Sequence, residues 1–498
     1  MNHLIIAPVV LPAALAGVII LAARWSLIAQ RLMAALGVVA LMGLSVMLLV
    51  QSSAGPPQAY VLGNWPAPFG IVLILDRLAA LMLALTAGLS GIIWTYVIAT
   101  NWDARGPHFH ALFLFQLMGL NGAFLTGDAF NLFVFFEVLL IASYGLMVHG
   151  GGADRIRAGI QYVAFNLVGS TLFLLGLATI YSVTGTLNMA DLAVKVAALP
   201  AGDAALIRVA AVMFLLVFAI KAALVPVHFW LPGTYSNAPG PVAALFAVMT
   251  KVGGYAVIRV GTLIFGADAT SGLWSGLLEP AAVATITLGA IGVLGAQSLT
   301  RMVAFAGIGS MGVVFLAIAA GTEQGTTAAL YYMLQSTLAT AALFLLTDLI
   351  TGRRRIDNLQ VLRLPLAQSG LIAGLFMAAS VAMSGMPPLS GFVAKLLVMN
   401  ALRADAMWTW SFILLASLLT ILGFARAGSQ LFWTPPEPRT APKNMTFPVA
   451  PVPIFTLLAG SVALTVWAGP ITDWLTITAQ SLHAPDAYIA ANALSGAP

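Results

Sequence analysis

Glu137 lies in the run Asn131-Leu-Phe-Val-Phe-Phe-Glu137-Val-Leu-Leu, and Lys221, Lys251 and Lys395, three of the chain's five lysines, fall inside equally apolar stretches. A charge at the centre of a bilayer costs about 2.5 to 3.5 kcal/mol on insertion scales, so four such residues require compensation. Two explanations compete. The charges snorkel to a helix end or pair simply to hold helices together, or they are the titratable members of an internal polar path. Snorkelling suits Glu137 poorly, because a glutamate stem is short. Burial lowers the pKa of a lysine and a nearby carboxylate raises it again. A Glu137–Lys221 pair across two helices would therefore be tunable: withdraw the carboxylate and the ammonium is ready to lose its proton.

Two of the lysines sit beside helix breakers. In Lys221-Ala-Ala-Leu-Val-Pro226-Val-His228-Phe-Trp-Leu-Pro232, Pro226 lacks the N–H that would bond the carbonyl of Ala222. In Ser384-Gly-Met-Pro387-Pro388-Leu-Ser-Gly391-Phe-Val-Ala-Lys395 the breaker precedes the lysine. Broken backbone at membrane depth is tolerated where it is buried in protein or lines a wet cavity, and transporters use it for ion sites. The opposite order is what two inverted halves produce; a packing kink is the alternative for each proline alone. His228 shares a face with Lys221 if the helix is unbroken, which makes it either a further relay group or a structural histidine. Tyr255 and Arg259 follow Lys251 along one helix face, with Arg259 near enough to the outer end to snorkel. Gln161, Asn166 and Ser170 either continue a hydrated track or bond neighbouring helices. Asp128 is expected to cap the Glu137 helix, and Thr351-Gly-Arg353-Arg354-Arg355 to anchor a loop at the cytoplasmic surface.

The elements that must hold these residues are set by composition. Of 498 residues, 61% are hydrophobic and 7% charged, with a mean hydropathy of +1.00. Soluble domains carry roughly 25% charged residues, so the composition excludes a soluble enzyme. At about 20 apolar residues per span, the apolar runs give about fourteen helices: 4–23, 32–50, 77–99, 109–126, 129–148, 158–184, 206–230, 240–265, 277–298, 300–320, 326–350, 366–400, 409–433 and 449–475. The first run has no basic residue ahead of it and Arg24 after it, and is read as a retained helix rather than a cleaved signal. Cysteine is absent, which excludes disulfides and thiolate metal or iron–sulfur sites, and the six histidines form no ligand-spaced cluster.

The net charge of +5 reflects topology rather than nucleic acid. Arg24, Arg31, Arg105, Arg155, Arg157, Arg301, Arg353, Arg354, Arg355, Arg363, Arg426, Arg439 and Lys443 all fall in odd-numbered loops, against Lys195, Arg208 and Arg403 in even ones. The positive-inside rule makes the odd loops cytoplasmic and places both termini outside. The segment 51–71 is expected to hold a short external hairpin, and Pro435–Pro448 a cytoplasmic connection.

These residues resemble a known family, the antiporter-like membrane subunits shared by respiratory complex I, membrane hydrogenases and Mrp sodium/proton antiporters. The likeness spans nearly the whole chain. It is carried by Gly127–Leu146, by Lys221–Pro232, by Ala238-Pro-Gly-Pro-Val-Ala-Ala-Leu-Phe-Ala-Val-Met-Thr-Lys251-Val-Gly-Gly-Tyr255, and by Gly385-Met-Pro-Pro-Leu-Ser-Gly-Phe392; the first piece is most like the D-type subunits of Mrp antiporters. The resemblance implies an all-α integral membrane protein of fourteen helices, with two inverted five-helix repeats and broken seventh and twelfth helices. It divides the chain into 1–108 (helices 1–3), 109–265 (first repeat), 266–433 (second repeat) and 434–498 (helix 14 and tail). It implies that Glu137 and Lys221 are the carboxylate–lysine pair of one half-channel, Lys251 the connecting lysine and Lys395 the lysine of the other. Relatives often have histidine where Gln335 stands, and some a lysine at Thr340; Gln335 cannot titrate, so the central step would need water or another group.

The expected function is a non-enzymatic, proton-translocating subunit of a multisubunit sodium or potassium/proton antiporter in a bacterial cell membrane. Its partners would be the other subunits, lipid, protons and monovalent cations, with no cofactor. Two rivals remain: a proton-pumping membrane subunit of an NADH–quinone oxidoreductase or membrane hydrogenase, and a non-translocating structural subunit.

Overall fold

The computed structural model describes residues 2–65, 69–200, 204–266, 270, 272–354, 357–359, 368–433 and 449–492. Arg355, Arg363, Arg439, Lys443 and the Pro435–Pro448 connection lie outside the described residues. In chain order the helices are α1 (Ala7–Val18, extended by a π-turn to Ala23), α2 (Leu27–Ala54), α3 (Arg77–Thr100), α4 (Phe109–Leu125), α5 (Ala129–Met147), α6 (Ala153–Thr184), α7 (Met189–Ala197), α8 (Ala205–Ala222), α9 (Trp230–Asn237), α10 (Gly240–Leu263), α11 (Leu273–Gly295), α12 (Leu299–Ala319), α13 (Glu323–Arg354), α14 (Ser369–Ser384), α15 (Ser390–Ala401), α16 (Ala406–Gly428), α17 (Pro451–Val466), α18 (Ala468–His483) and α19 (Asp486–Ala491). Among the described residues, ten helices are long and apolar enough to cross a membrane, and α17 with α18 forms a further candidate bent by 80°.

A helix occupies each of the fourteen apolar intervals, but three intervals are not single straight rods. The stretch 206–230 stops at Ala222 and restarts at Trp230, 366–400 breaks between Ser384 and Ser390, and the last span bends at Trp467. Side-chain caps satisfy first-turn N–H groups at several helix starts. Asp76 caps α3, Asp128 caps α5 as expected, and Ser298 caps α12. The hairpin between α2 and α3 is also present: Gln58–Val61 (β1) pairs antiparallel with Val72–Leu75 (β2), Tyr60 opposite Leu73. Its second strand starts one residue beyond the expected interval and is fully buried, because Val72-Leu-Ile-Leu75 is apolar on both faces.

Two links between loops have the same backbone pattern. Ala129 N–H bonds Leu187 O (2.8 Å) and Met189 N–H bonds Gly127 O (2.9 Å); 170 positions later, Leu299 N–H bonds Asp357 O (3.1 Å) and Leu359 N–H bonds Gln297 O (2.8 Å).

Helices α10 and α13 lie at the centre of the fold, with the most apolar 18 residues of α10 buried throughout. By contrast α2, α6 and α16 expose rows of apolar residues such as Leu32, Leu36 and Val39 on α2, as helices facing hydrocarbon must.

Two of the expected loop anchors are instead interior. Arg353 and Arg354 are 7% and 8% exposed, and Arg354 donates to the Leu431 carbonyl at 2.6 Å. At the start of α4, Arg31 and His110 both bond Asp103, at 2.6 and 3.0 Å, tying α2, the α3–α4 turn and α4 together. Burial alone would raise the Asp103 pKa, but hydrogen bonds and charge from His110 and Arg31 hold it down at about 2. A depressed carboxylate contributes stability above its unfolded pKa and loses it as pH falls through the folded value. Thermal unfolding of the purified protein is therefore expected to show about 2 kcal/mol of stabilisation disappearing between about pH 4 and pH 2. Asp103→Asn should be less stable at pH 7 and lack that acid step.

Candidate functional site

Glu137 and Lys221 are on neighbouring elements but not in direct contact. The ion pairs among the described residues are Arg31–Asp103, His110–Asp103, Lys195–Asp191 and Arg259–Asp76. Instead α6 bridges them. Ser170 Oγ donates to Glu137 Oε1, and Lys221 Nζ donates to Asn166 Oδ1 at 3.2 Å. Asn166 and Ser170 are one helical turn apart, so one face of α6 presents a polar partner to each charge. The Lys221 ammonium also lies 5.7 Å from the Phe136 ring centroid, within cation–π range. Lys221 is 8% exposed, Glu137 is half-buried, and Gln161 is exposed and stands apart from this network.

The break after Lys221 is a helix stop rather than a proline kink. Ala223 adopts the left-handed conformation (φ 57°), and Leu224 N–H reaches back to Ala219 O at 2.9 Å, the Schellman arrangement. Trp230 Nε1 donates to Ile220 O at 3.0 Å and Val225 N–H to Thr285 Oγ1 at 2.9 Å, so exposed backbone groups find partners. The negative end of the α8 dipole is thus close to Lys221, a favourable place for a cation. The break removes the helical spacing on which the His228–Lys221 alignment depended. His228 sits in the connection half-buried, and its Nδ1 has no hydrogen-bond partner among the described residues.

The second break repeats the stop with glycine. Gly385 is left-handed (φ 78°) and Met386 N–H bonds Val381 O at 3.1 Å. Here the lysine comes from beyond the break: Lys395 Nζ donates to Ser384 O and to Ser417 Oγ of α16, both at 2.6 Å. Gln335 is 2% exposed and donates through Nε2 to Ala382 O at 2.6 Å. Its amide therefore satisfies a carbonyl that the interrupted helix leaves open.

Lys251 sits on α10, which packs between these two regions. It is 1% exposed and makes no side-chain hydrogen bond to a described residue. Gly253 allows α10 to pack directly on α8, since a side chain there would strike the backbone of Ala222 and Phe218. On the other side Gly254 faces Met333 of α13, two positions from Gln335. Glu137, Lys221, Lys251, Gln335 and Lys395 consequently lie on a series of helices in which each touches the next.

Sequence reasoning missed the partner of Arg259. Far from snorkelling, Arg259 is 3% exposed and holds Asp76 through two bonds of 2.6 and 2.7 Å, with the Tyr488 ring 5.0 Å away. Tyr255 OH donates to Phe124 O at 2.7 Å. An acid standing immediately before an apolar run was the available signal.

Residues 126–420 match the family described as NADH:quinone oxidoreductase/Mrp antiporter, transmembrane. The chain belongs to that family. It is 39% identical to the D-type subunit of a probable K+/H+ antiporter from Rhizobium meliloti, over 97% of this chain and 96% of the relative. It is 36% identical to the D-type subunit of a Na+/H+ antiporter from Bacillus subtilis, over 99% of each. Among solved structures it resembles a chain of the Mrp complex from Dietzia sp. DQ12-45-1b (TM-score 0.89, 28% identity, 99% of this chain and 100% of that one). It also resembles a chain of respiratory complex I from Thermus thermophilus with bound NADH (TM-score 0.82, 26% identity, 99% and 100%).

This member of the NADH:quinone oxidoreductase/Mrp antiporter family is thus an all-helical, multi-pass integral membrane protein. Among its described residues, no cluster of three or more His, Asp or Glu side chains could hold a metal. The Arg259–Asp76 pair supplies a structural test. Removing one partner strands a buried charge and is expected to cost about 3 to 5 kcal/mol, whereas replacing both by apolar residues should cost much less. Thermal unfolding of Arg259→Met, Asp76→Leu and the double variant measures this; equal destabilisation in all three would contradict it.

Proposed function

We propose that this chain is the proton-translocating membrane subunit of a multisubunit monovalent cation/proton antiporter, with Glu137, Lys221, Lys251 and Lys395 as its relay groups. The observation that carries the reading is the series of ionisable residues inside the membrane on helices in mutual contact, three of them bonded only to neutral groups. A buried ion pair would hold its proton tightly; Asn166, Ser170, Ser384 and Ser417 leave each charge solvated by dipoles and free to change state. A proton arriving at Lys221 alters the field at Glu137 across Asn166 and Ser170, and loss of that proton passes the charge toward Lys251. Gln335 does not titrate, so the step from Lys251 to Lys395 runs through water. His228 is a further candidate at the first break.

The same reading gives the finer architecture. Fourteen spans form two inverted five-helix repeats, 109–265 and 266–433, with broken seventh and twelfth helices (α8–α9 and α14–α15), flanked by 1–108 and 434–498. Support comes from the backbone link that recurs at an offset of 170 residues and from the two Schellman stops. The arginine-rich loops face the cytoplasm and both termini lie outside, by the positive-inside rule. The names of the Rhizobium and Bacillus relatives support sodium or potassium as the exchanged cation and further antiporter subunits as partners.

Similarity to a complex I chain favours a second reading, a proton-pumping subunit of a redox complex. Identifying the subunits of the purified native complex separates the two: quinone- and iron–sulfur-binding partners would replace the first reading by the second. For the relay itself, cation/proton exchange is measured in membrane vesicles carrying the assembled complex. Lys221→Ala is expected to fall to background and Glu137→Gln to shift the pH profile. Unchanged exchange in Lys221→Ala removes that residue from the relay. A Glu137→Gln, Lys221→Met double variant that still exchanges would assign the charges to scaffolding.

A further inference from the structure

A cavity of about 600 Å³ opens at the ends of α3, α10 and α13, lined among others by Arg105 of the α3–α4 turn, Arg155 in the first turn of α6 and Arg353 in the last turn of α13. Its walls reach inward to Tyr96, Ala243 and Phe344, and Asp348 lies against Gly240 at the start of α10. Asp348 Oδ2 accepts from Tyr96 OH at 2.8 Å and Trp102 Nε1 at 2.9 Å, which fixes the carboxylate in place. Asp154 and Asp357 also line the cavity. Arg105 stacks on Trp102 at 3.6 Å, and Arg155 is spent on the carbonyls of Asn237 and His149 at 2.9 and 2.8 Å. Asp348 is the carboxylate set deepest.

Contacts along the helices fix what lies above this cavity. Arg259 meets Asp76 at one end of the α3–α10 pair, while at the other Tyr96 OH bonds Leu345 O (3.2 Å) and Gly240 meets Asp348; Gly254 faces Met333 between them. Counting inward at equal rise brings Thr86 of α3 and Ser336 and Thr337 of α13 to the depth of Lys251. Ala243 is eight residues below Lys251, about 12 Å along the axis. All three hydroxyl residues are at most 1% exposed, and Thr86 Oγ1 has no hydrogen-bond partner among the described residues. Buried polar atoms of this kind are normally satisfied by internal water.

We propose that this cavity is the cytoplasmic port through which protons reach Lys251, with Asp348 as the fixed charge that gathers them at its floor. The port continues between α3, α10 and α13 past Ser90 and Thr86. It is separate from the α5–α6–α8 network, and it rests on the reading of Lys251 as a relay group.

The chain contains no cysteine, so thiol labelling read on this subunit after it is separated from its partners reports the access of a single introduced cysteine. In vesicles of either orientation carrying the assembled complex, Ala243→Cys and Ser90→Cys are expected to react with a membrane-impermeant thiol reagent from the cytoplasmic face only. Reaction at the rim variant Thr351→Cys but not at Ala243→Cys or Ser90→Cys, or reaction only from the outer face, overturns the port. Asp348→Asn is expected to lower the apparent proton affinity of exchange by about tenfold, the scale of charge focusing in a cleft, with the maximal rate retained. A purely structural Asp348 would instead lower assembly and maximal rate together at unchanged proton affinity. Failure of the relay reading shows separately, as unchanged exchange in Lys251→Ala.

Discussion

The structure turns on what happens when a helix stops inside a membrane. At Ser384 the chain gives up its backbone ladder, and the ammonium of Lys395 returns across the break to take the carbonyl so exposed. The negative end of a half-helix favours a cation, and hydrocarbon forbids leaving the carbonyl open. Each group therefore compensates the other. Lys221 stands in the last turn of α8 before the other break, where the dipole again favours a cation, but there Trp230 and Leu224 take the exposed carbonyls and the ammonium bonds Asn166. Gln335 performs the neutral version of the task at Ala382.

Such sites demand close packing around them, and glycine provides it. Gly253 lets α10 press on the end of α8, and Gly391 lets the start of α15 lie against Ala382 and Gln335. Helix α10 is buried along its apolar length, so Lys251 is kept from lipid by protein on all sides. At its C-terminal end the bidentate Arg259–Asp76 pair locks α10 to α3. At its N-terminal end Gly240 packs against Asp348 of α13. A helix fixed at both ends is a suitable frame for a proposed relay residue midway along it.

The particular residues show where sequence reading reached its limit. Asp128 as a cap and the hairpin near Tyr60 were legible because each depends on a few adjacent residues. Breaks within 206–230 and 366–400 were signalled by Pro226 and by Pro387–Pro388, but the left-handed Ala223 and Gly385 stops that end the two helices were not, because apolar composition is blind to a Schellman stop. Arg259 was misplaced for a related reason: its proximity to a helix end is a sequence property, whereas its partner Asp76 is 183 residues away. The same limit hid the Asn166–Ser170 bridge, whose two residues were visible as polar but not as the link between Glu137 and Lys221.

By itself the sequence determined the solvent and the chemistry. With 7% charged residues the chain has to sit in lipid, and the cost of burying charge there singles out Glu137, Lys221, Lys251 and Lys395 before any fold is known. Only the tertiary structure decided how those charges are solvated and which helices bring them together. Insertion cost depends on residue type and local hydropathy, which the sequence states. Compensation depends on dipoles and carbonyls within about 3 Å, and those come from segments distant in the chain that meet only when it folds.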